Sequence, residues 1–476
     1  MKRSLILAFT LTLIGVLPAQ EVRTDIWSLE KCIQHALDNN LQVHQTQLAV
    51  SQNEAGLKQA QASRYPNLSG GANAGLNLGR SVDPFTNDFV AQTIRTSNFS
   101  LNTSVPLFSG FQINNSIQQS QIDLRASKKD LEQGENDVIL AVAQAYLNVL
   151  FNAEILSSAE TQVSTTRGQR DRTKKLVNAG SLPVASLLEI ESQIATEDLN
   201  VVNAQNQLEL SYLILQQTLN LDLNERFGIE RPEIPDPSSL PPPISAEDVY
   251  KTAEGTLPGI QAADLRIQSA GKGIEIAKGG RYPTLFFSAN AFTGYSSLRQ
   301  RAAGAPVTTV VEQEIFIDGT PVTVGFPNNS FNFEKIPYFD QLRENRNGQL
   351  SLGLNVPIYS RRQNITAIEQ AQLGLKNAQL SAEIQRQTLK QTIEQAYLDV
   401  KTSYAAYTST TRQIDALELS FKNTEKQFDV GVVNSVDYLV AKNNLNRAKF
   451  DLVRLKFDYL FKLKILEFYQ GKPIGF

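Results

Sequence analysis

Apolar residues recur every seven positions across residues 361–430, a run with no proline and one interior glycine, Gly374. Ile393, Val400, Tyr407, Ile414, Phe421 and Phe428 form one series. Ile368, Leu375, Ala382, Leu389 and Ala396 form a second. A seven-residue repeat held this long predicts a helix that supercoils against partners. At 1.5 Å per residue it is about 100 Å long, several times the width of an ordinary domain.

The pattern occurs twice. Gln144-Ala145-Tyr146-Leu147 returns as Gln395-Ala396-Tyr397-Leu398, an offset of 251. Val142, Val149, Leu156, Val163 and Val177 repeat the heptad series at that offset, with Arg170 as the one break. Gly180 maps to Gly431, and Ile214-Leu215 to Ile465-Leu466. Upstream, Ser63-Arg64-Tyr65-Pro66-Asn67-Leu68 matches Gly280-Arg281-Tyr282-Pro283-Thr284-Leu285 at an offset of 217, so 34 residues are inserted between Pro283 and Pro357. Internal repeats decide architecture. The chain reads as a duplicated helix–β-hairpin–long helix unit.

Between the helices the period changes to two, the mark of strands. Leu68, Ala72, Ala74, Leu76 and Leu78 alternate with Asn67, Ser69, Gly71, Asn73, Gly75 and Asn77. Phe99, Leu101, Thr103 and Val105 alternate with Asn98, Ser100, Asn102 and Ser104. In the second copy Leu285, Phe287, Ala289 and Ala291 make one row. Leu350, Leu352, Leu354 and Val356 make another, opposite Gln349, Ser351, Gly353 and Asn355. Residues 81–93 and 296–347 read as loops.

The expected organisation is a leader over 1–19, a first repeat over 20–223 with its hairpin at 67–105, and a proline-rich linker over 224–244. A second repeat follows over 245–476, with its hairpin at 284–356 and helices at 361–430 and 434–469. In the first copy one helix runs from Ser28, as N-cap, to about Ser63. Another fills about seventy residues up to Ala179, and Pro183 sits in the first turn of the next.

Strands with one apolar and one polar face suit a small sheet on a core, or a barrel in an outer membrane. In lipid a sheet must close, because open edges leave amides unpaired. Four strands cannot enclose a water-filled barrel, so the barrel reading requires eight strands in a dimer or twelve in a trimer. Ser351, Gly353 and Asn355 then line the lumen, and Leu350, Leu352, Leu354 and Val356 face lipid. The helices are rich in Gln, Asn, Ser and Thr, which suits a hollow helical barrel; a simple coiled-coil rod has the same periodicity.

Composition narrows the function. Residues are 41% hydrophobic and 20% charged with net charge -3, which makes no electrostatic case for nucleic acid. Lys2-Arg3, an apolar run over 5–17 and Pro18-Ala19-Gln20 read as a secretory leader cleaved after Ala19. No later helix reads as apolar enough to span a bilayer. Cys32, the single cysteine, permits no intramolecular disulfide and lies too far past the leader to carry a lipid. His35 and His44 lack a second ligand cluster, so no metal or cofactor is implied. No catalytic constellation stands out, and the chain does not read as an enzyme.

Residues 27–40 (Trp27, Leu29, Ala36-Leu37, Asn39-Asn40), the two Tyr-Pro hairpin entries, Val105-Pro106-Leu107-Phe108-Ser109-Gly110 and the paired glycine turns together resemble the TolC-like outer-membrane efflux protein family. The resemblance covers nearly the whole mature chain in both halves. It implies an α+β membrane protein in the outer membrane of a Gram-negative cell, extending into the periplasm. It further implies a homotrimer with a 12-strand β-barrel continuous with a 12-helix periplasmic α-barrel. Such a channel serves a tripartite efflux or type I secretion system as a passive exit duct. Its partners are outer-membrane lipid, a periplasmic adaptor (membrane fusion) protein and an inner-membrane pump. The other reading is a periplasmic coiled-coil structural or adaptor protein, which has no need of lipid-facing strands.

The resemblance also assigns residues. Asp437 matches an inward-facing aspartate at the periplasmic constriction. A second aspartate, one turn later in the best-known member, is Val440 here. That member's gate tyrosine and arginine correspond to Phe428 and Val433, so its polar latch is absent and closure rests on other contacts. Gly180, Ser181 and Leu182, with Gly431, Val432 and Val433, form the turns expected to be adaptor-docking tips, about 100 Å from the hairpins by helix rise.

Overall fold

The computed structural model describes residues 25–82, 87, 89–91, 93–222, 227–232, 235–242 and 245–474. The leader over 1–19, and parts of the 81–93 segment and of the 224–244 linker, lie outside the described residues. The first half runs β1 (Asp25–Trp27), α1 (Leu29–Asn39), α2 (Leu41–Ala62), β2 (Asn67–Asn77), β3 (Arg80–Val82), β4 (Phe89–Ala91), β5 (Ile94–Ser109), α3 (Gln112–Asn178) and α4 (Val184–Leu219). After β6 (Phe227–Ile229) come α5 (Ala246–Thr256), α6 (Pro258–Gly279), β7 (Thr284–Ser296), β8 (Gln300–Ile317), β9 (Thr320–Lys335), α7 (Tyr338–Glu344), β10 (Asn347–Asn355), α8 (Gln363–Asp429) and α9 (Ser435–Tyr469). The chain forms two compact units, each drawing on both halves of the sequence.

One unit, Ser51–Ala126 with Ala263–Ala382, holds an antiparallel sheet in the order β10-β7-β5-β2. The two hairpins join through β5 and β7, from Thr96 opposite Ser296 to Ser109 opposite Thr284. Strand β5 runs on through Pro106 to Ser109, past the point where the hairpin was expected to close. Its register shifts between Pro106 and Phe108, an irregularity that accommodates a residue without an amide to donate.

The expected loop over 296–347 is instead structured. Strands β8 and β9 pair from Gln300–Lys335 to Ile317–Thr320 and turn at Asp318-Gly319, both with positive φ (52° and 80°). Asp-Gly between β-branched runs is the strongest short-range hairpin signal, masked here by the polar residues around it. Helix α7 then docks on the end of β7. The buried Gln341 amide donates to the Ser296 and Ile336 carbonyls and accepts from the Ser296 amide at 3.0 Å. Residues 81–93, also expected as a loop, contain the short β3–β4 pair.

The other unit comprises the described parts of Met1–Val50, Ser127–Ala262 and Glu383–Phe476. Its main core packs Trp27, Cys32, Ala36, Val142, Tyr146, Val149, Leu215 and Leu219. The expected single helix from Ser28 is two, because Asn40 takes an extended conformation between α1 and α2. Ser28 still caps α1, accepting from the Lys31 amide. Pro183 is the N-cap of α4 rather than a residue of its first turn. The linker is pinned as well as stiff. β6 pairs in parallel with β1. The Tyr146 hydroxyl donates to the Glu230 carbonyl at 2.7 Å, Tyr407 donates to Asp236 at 3.1 Å, and Tyr459 donates to the Leu240 carbonyl. One stretch of α3 is long and apolar enough to cross a membrane, counter to the sequence reading; 56% of it is buried inside the protein, as core.

Candidate functional site

In the sheet, strict alternation sorts side chains onto two faces. Cross-strand neighbours Asn67–Ser104–Ser288–Ser351 and Ser69–Asn102–Asn290–Gln349 share one face. They line a polar trough of about 290 Å³. Ser288 and Ser351 hydroxyls meet at 2.6 Å across the trough. Gly353 and Asn355 continue this face, opposite Phe286 and Thr284. Leu350, Leu352 and Leu354 lie on the other face, beside Ala289, Phe287 and Leu285. That face is uncovered: Leu352 is 65% and Leu354 66% exposed, and Val356, just past β10, is half exposed. At the end of the sheet near α2 and α6, Phe108, Phe111 and Tyr282 make edge-to-face contacts. At the other end Tyr338 packs at a tilt on Tyr295 and edge-to-face on Phe339, which is 81% exposed. An apolar band between two aromatic clusters matches the profile of a bilayer with its interfaces.

In the helical unit the two turns are built alike. Gly180 (φ 73°) donates to the Val177 carbonyl and Ser181 to that of Leu176. Gly431 (φ 75°) donates to the Phe428 carbonyl and Val432 to that of Gln427. This two-bond closure needs a left-handed residue after the helix, which glycine supplies without strain. Val432 is 73% exposed, and Leu182 and Val433 are half-buried. Asn434 caps α9 by accepting from the Asp437 amide at 2.8 Å, and the Asp437 carboxylate is exposed in the first turn, where the helix dipole favours it. Val440 is exposed one turn on. Phe428 is buried, stacked on Tyr438 at 4.8 Å, so within the protomer it is a packing residue between α8 and α9.

The sequence pattern of the family described as "Outer membrane efflux protein" matches residues 32–221 and 249–471. The chain belongs to the outer membrane efflux protein family. It is 21% identical over 426 residues to the outer membrane efflux protein BepC of Brucella suis biovar 1 (strain 1330), covering 89% of this chain and 80% of BepC. It is 24% identical over 341 residues to the outer membrane protein TolC of Escherichia coli (strain K12), covering 68% of this chain and 59% of TolC. The Campylobacter jejuni CmeC outer membrane channel has the same fold, with a TM-score of 0.69 at 16% identity over 98% of this chain and 94% of CmeC. As a member of this family, the protein is an outer-membrane channel that extends into the periplasm.

For an outer membrane efflux protein the turn region holds one feature that the sequence reading missed. Lys442 on α9 is buried, and its ammonium donates to the Thr166 hydroxyl of α3 at 2.5 Å. Thr166 donates to Glu197 of α4, also at 2.5 Å. Gln162 and Gln193 donate to the other Glu197 oxygen, at 3.1 and 3.0 Å. Burial pushes the Lys442 pKa down, while Glu197 and Glu425 oppose that shift. Towards the turns, Ser435 bonds Ser186 and Glu189, and Arg172 pairs with Asp429. A polar seam thus ties the first copy's helices to those of the second. Its members lie as far as 276 residues apart on four helices, which is why no local motif announces it.

Proposed function

We propose that the protein is the outer-membrane duct of a tripartite efflux or type I secretion system. In this reading the chain is a duplication, and three copies close a twelve-strand barrel in the outer membrane and a twelve-helix tunnel in the periplasm. The observation that carries it is the sheet. Its outer strands β2 and β10 each have one partner in the protomer, one face is exposed Leu and Phe, and the other is Ser, Asn and Gly. An unpaired edge is untenable in lipid, and symmetric closure with further copies removes it. Ser351, Gly353 and Asn355 then line the lumen, while Leu350, Leu352, Leu354 and Val356 meet lipid. A coiled-coil adaptor gives no reason for these two faces or for the aromatic clusters at the ends of the sheet.

In the same reading the turns at Gly180-Ser181-Leu182 and Gly431-Val432-Val433 are the periplasmic tips, which abut an adaptor linked to an inner-membrane pump. Asp437, with Val433 and Val440 beside it, lines the constriction, where three copies would form an acidic ring that favours cations. Phe428 supports it from behind by holding Tyr438. The buried seam around Lys442 supplies cohesion that a surface latch would otherwise provide. Detergent-corrected light scattering on the purified protein tests the reading: a mass of three protomers is expected, and a monomer overturns it.

A further inference from the structure

The duplication builds the junction between sheet and long helix twice, with different side chains. Before α3 the chain turns through two left-handed residues, Gly110 (φ 61°) and Phe111 (φ 64°). Before α8, at the offset of 251, it turns through Arg361 (φ 47°) and Arg362 (φ 64°). Residues with a Cβ seldom adopt that backbone, and a site that holds two in succession points to use of their side chains. In the first copy glycine is required, because a Cβ at 110 would collide with the Gly279 carbonyl oxygen. Phe111 there packs edge-to-face on Phe108 and Tyr282. Both arginines of the second copy are exposed.

A second exchange acts in the same direction. Arg64, just past α2, donates to the Asn114 side chain at 2.8 Å. Its counterpart is Arg281, and the counterpart of Asn114 is Ile365, which offers no acceptor. Lys278 and Arg362 have the Glu275 and Glu369 carboxylates at 2.8 and 4.0 Å. Among the described residues neither Arg281 nor Arg361 pairs with a carboxylate. An open cavity of about 530 Å³ lies between α6 and α8, lined by Lys278, Arg281, Tyr282, Ile365, Ile368 and Glu369. It joins uncompensated cations to an apolar wall. The β10 row of Leu350, Leu352, Leu354 and Val356 ends at this level, and Ile358 and Tyr359, 94% and 82% exposed, follow it. A tyrosine just past an apolar row suits the boundary between acyl chains and headgroups.

We infer that the second-copy junction is a binding site for the headgroup phosphate of an anionic glycerophospholipid in the periplasmic leaflet of the outer membrane. This rests on the barrel reading, which puts the leucine row in lipid and this end of the sheet at the periplasmic boundary. Arg281 and Arg362 take the phosphate oxygens, for which a planar guanidinium is suited by its paired N–H donors. Lys278 and Arg361 add charge, and the acyl chains lie along Ile358 and the leucine row. The surplus of positive charge favours an anionic headgroup over a zwitterionic one. The first copy, with Gly110, Phe111 and the Arg64–Asn114 bond, has no equivalent site, so each protomer takes a single lipid.

Native mass spectrometry of the detergent-purified protein, incubated with phosphatidylglycerol or with phosphatidylcholine of the same chains, tests this. One phosphatidylglycerol per protomer is expected to survive activation that strips phosphatidylcholine. Arg281→Gln with Arg362→Gln is expected to weaken phosphatidylglycerol binding by about tenfold or more, and Arg64→Gln to leave it unchanged. Ile365→Asn, which gives Arg281 the partner that Arg64 has, is expected to weaken binding as well. Equal retention of the two lipids, or undiminished phosphatidylglycerol binding by the double variant, overturns the site. Inorganic phosphate bound as tightly as phosphatidylglycerol would make it a free-anion site and overturn the lipid assignment. A separate measurement isolates the barrel reading: a fluorophore on Leu352→Cys should be quenched by nitroxide-labelled lipid in reconstituted vesicles. If it is not, that face does not meet lipid and the barrel reading fails; if it is while the double variant keeps its phosphatidylglycerol, only the site is wrong.

Discussion

Helices α3 and α8 carry the same Gln-Ala-Tyr-Leu sequence 251 residues apart, and the two copies stand in different surroundings. Val142 and Ile393, and Val149 and Val400, are equivalent and all fully buried. Positions beside them diverge. Leu147 is 4% exposed and its counterpart Leu398 is 54% exposed; buried Leu150 corresponds to Lys401 at the surface. Around α3 the gap is filled by β1, α1 and β6 of the linker, which bring Trp27, Cys32, Ala36 and Ile229 to it. Around α8 the core is smaller: Val249, Ala253, Tyr459, Leu463 and Leu466 cover one side. Matching apolar positions therefore specify the inner stripe, and the segments packed outside it, together with the change from Leu150 to Lys401, decide how far burial extends.

The sharpest way to break this comparison is a charge at the divergent position. Leu147→Asp removes a buried side chain and leaves a carboxylate in its place, so a loss of about 4 kcal/mol or more is expected in denaturant titration of the solubilised protein. Leu398→Asp is expected to cost under about 0.5 kcal/mol. Equal losses would mean that the Leu398 face is covered in the assembly, and the contrast would vanish.

A middle-sized effect is expected where each copy grips the linker. Tyr146→Phe removes the hydroxyl of a buried side chain from its part-buried bond to the Glu230 carbonyl and should cost about 1 kcal/mol. Tyr407→Phe removes one bond to a solvent-exposed Asp236 and should cost less. Thermal unfolding of the two variants side by side measures the order, and a reversed order refutes the account of the first copy as the tighter one.

The smallest effect is pH-dependent. Asp236 accepts from the Ser238 amide and hydroxyl and from Tyr407, which holds its carboxyl below the ordinary range. A folded-state pKa that is lowered adds stability above the unfolded value, near 4, and loses it as pH falls through the folded value. Amide exchange at Ser238 and Leu240 should therefore accelerate below about pH 4, ahead of exchange at Tyr146. Simultaneous acceleration would mean that the two grips do not act separately.

How much of this was legible depended on whether the signal was periodic. The long helices, both glycine turns, the Asn434–Asp437 helix start and the two faces of β10 follow from spacing alone. Three features did not. Asp318-Gly319 was hidden inside a polar segment that reads as loop by composition, although the turn dipeptide was present. The break at Asn40 interrupts a run whose residues all tolerate helix, and tertiary packing against Thr218 decides it. The seam of Lys442, Thr166 and Glu197 exists only in three dimensions, because a buried lysine on a long helix looks like any surface lysine until its neighbours are known. Phe286 was passed over for the opposite reason: an aromatic beside the apolar Phe287 reads as more of the same, when its parity puts it on the other face.

The glycine turns differ by 251 residues, while the side chains that meet just beyond them, Ser186 and Ser435, differ by 249. The two turns are thus staggered along the helix direction by two residues, about 3 Å, less than one turn of helix. They end as a blunt edge with neither standing proud. In the proposed reading of these turns as docking tips, a partner that reached one would find the second already within range, and the second contact would form at high effective concentration rather than as an independent encounter. Loss of either turn would then forfeit that gain as well as its own contact, so both copies of the turn would be held to the same geometry.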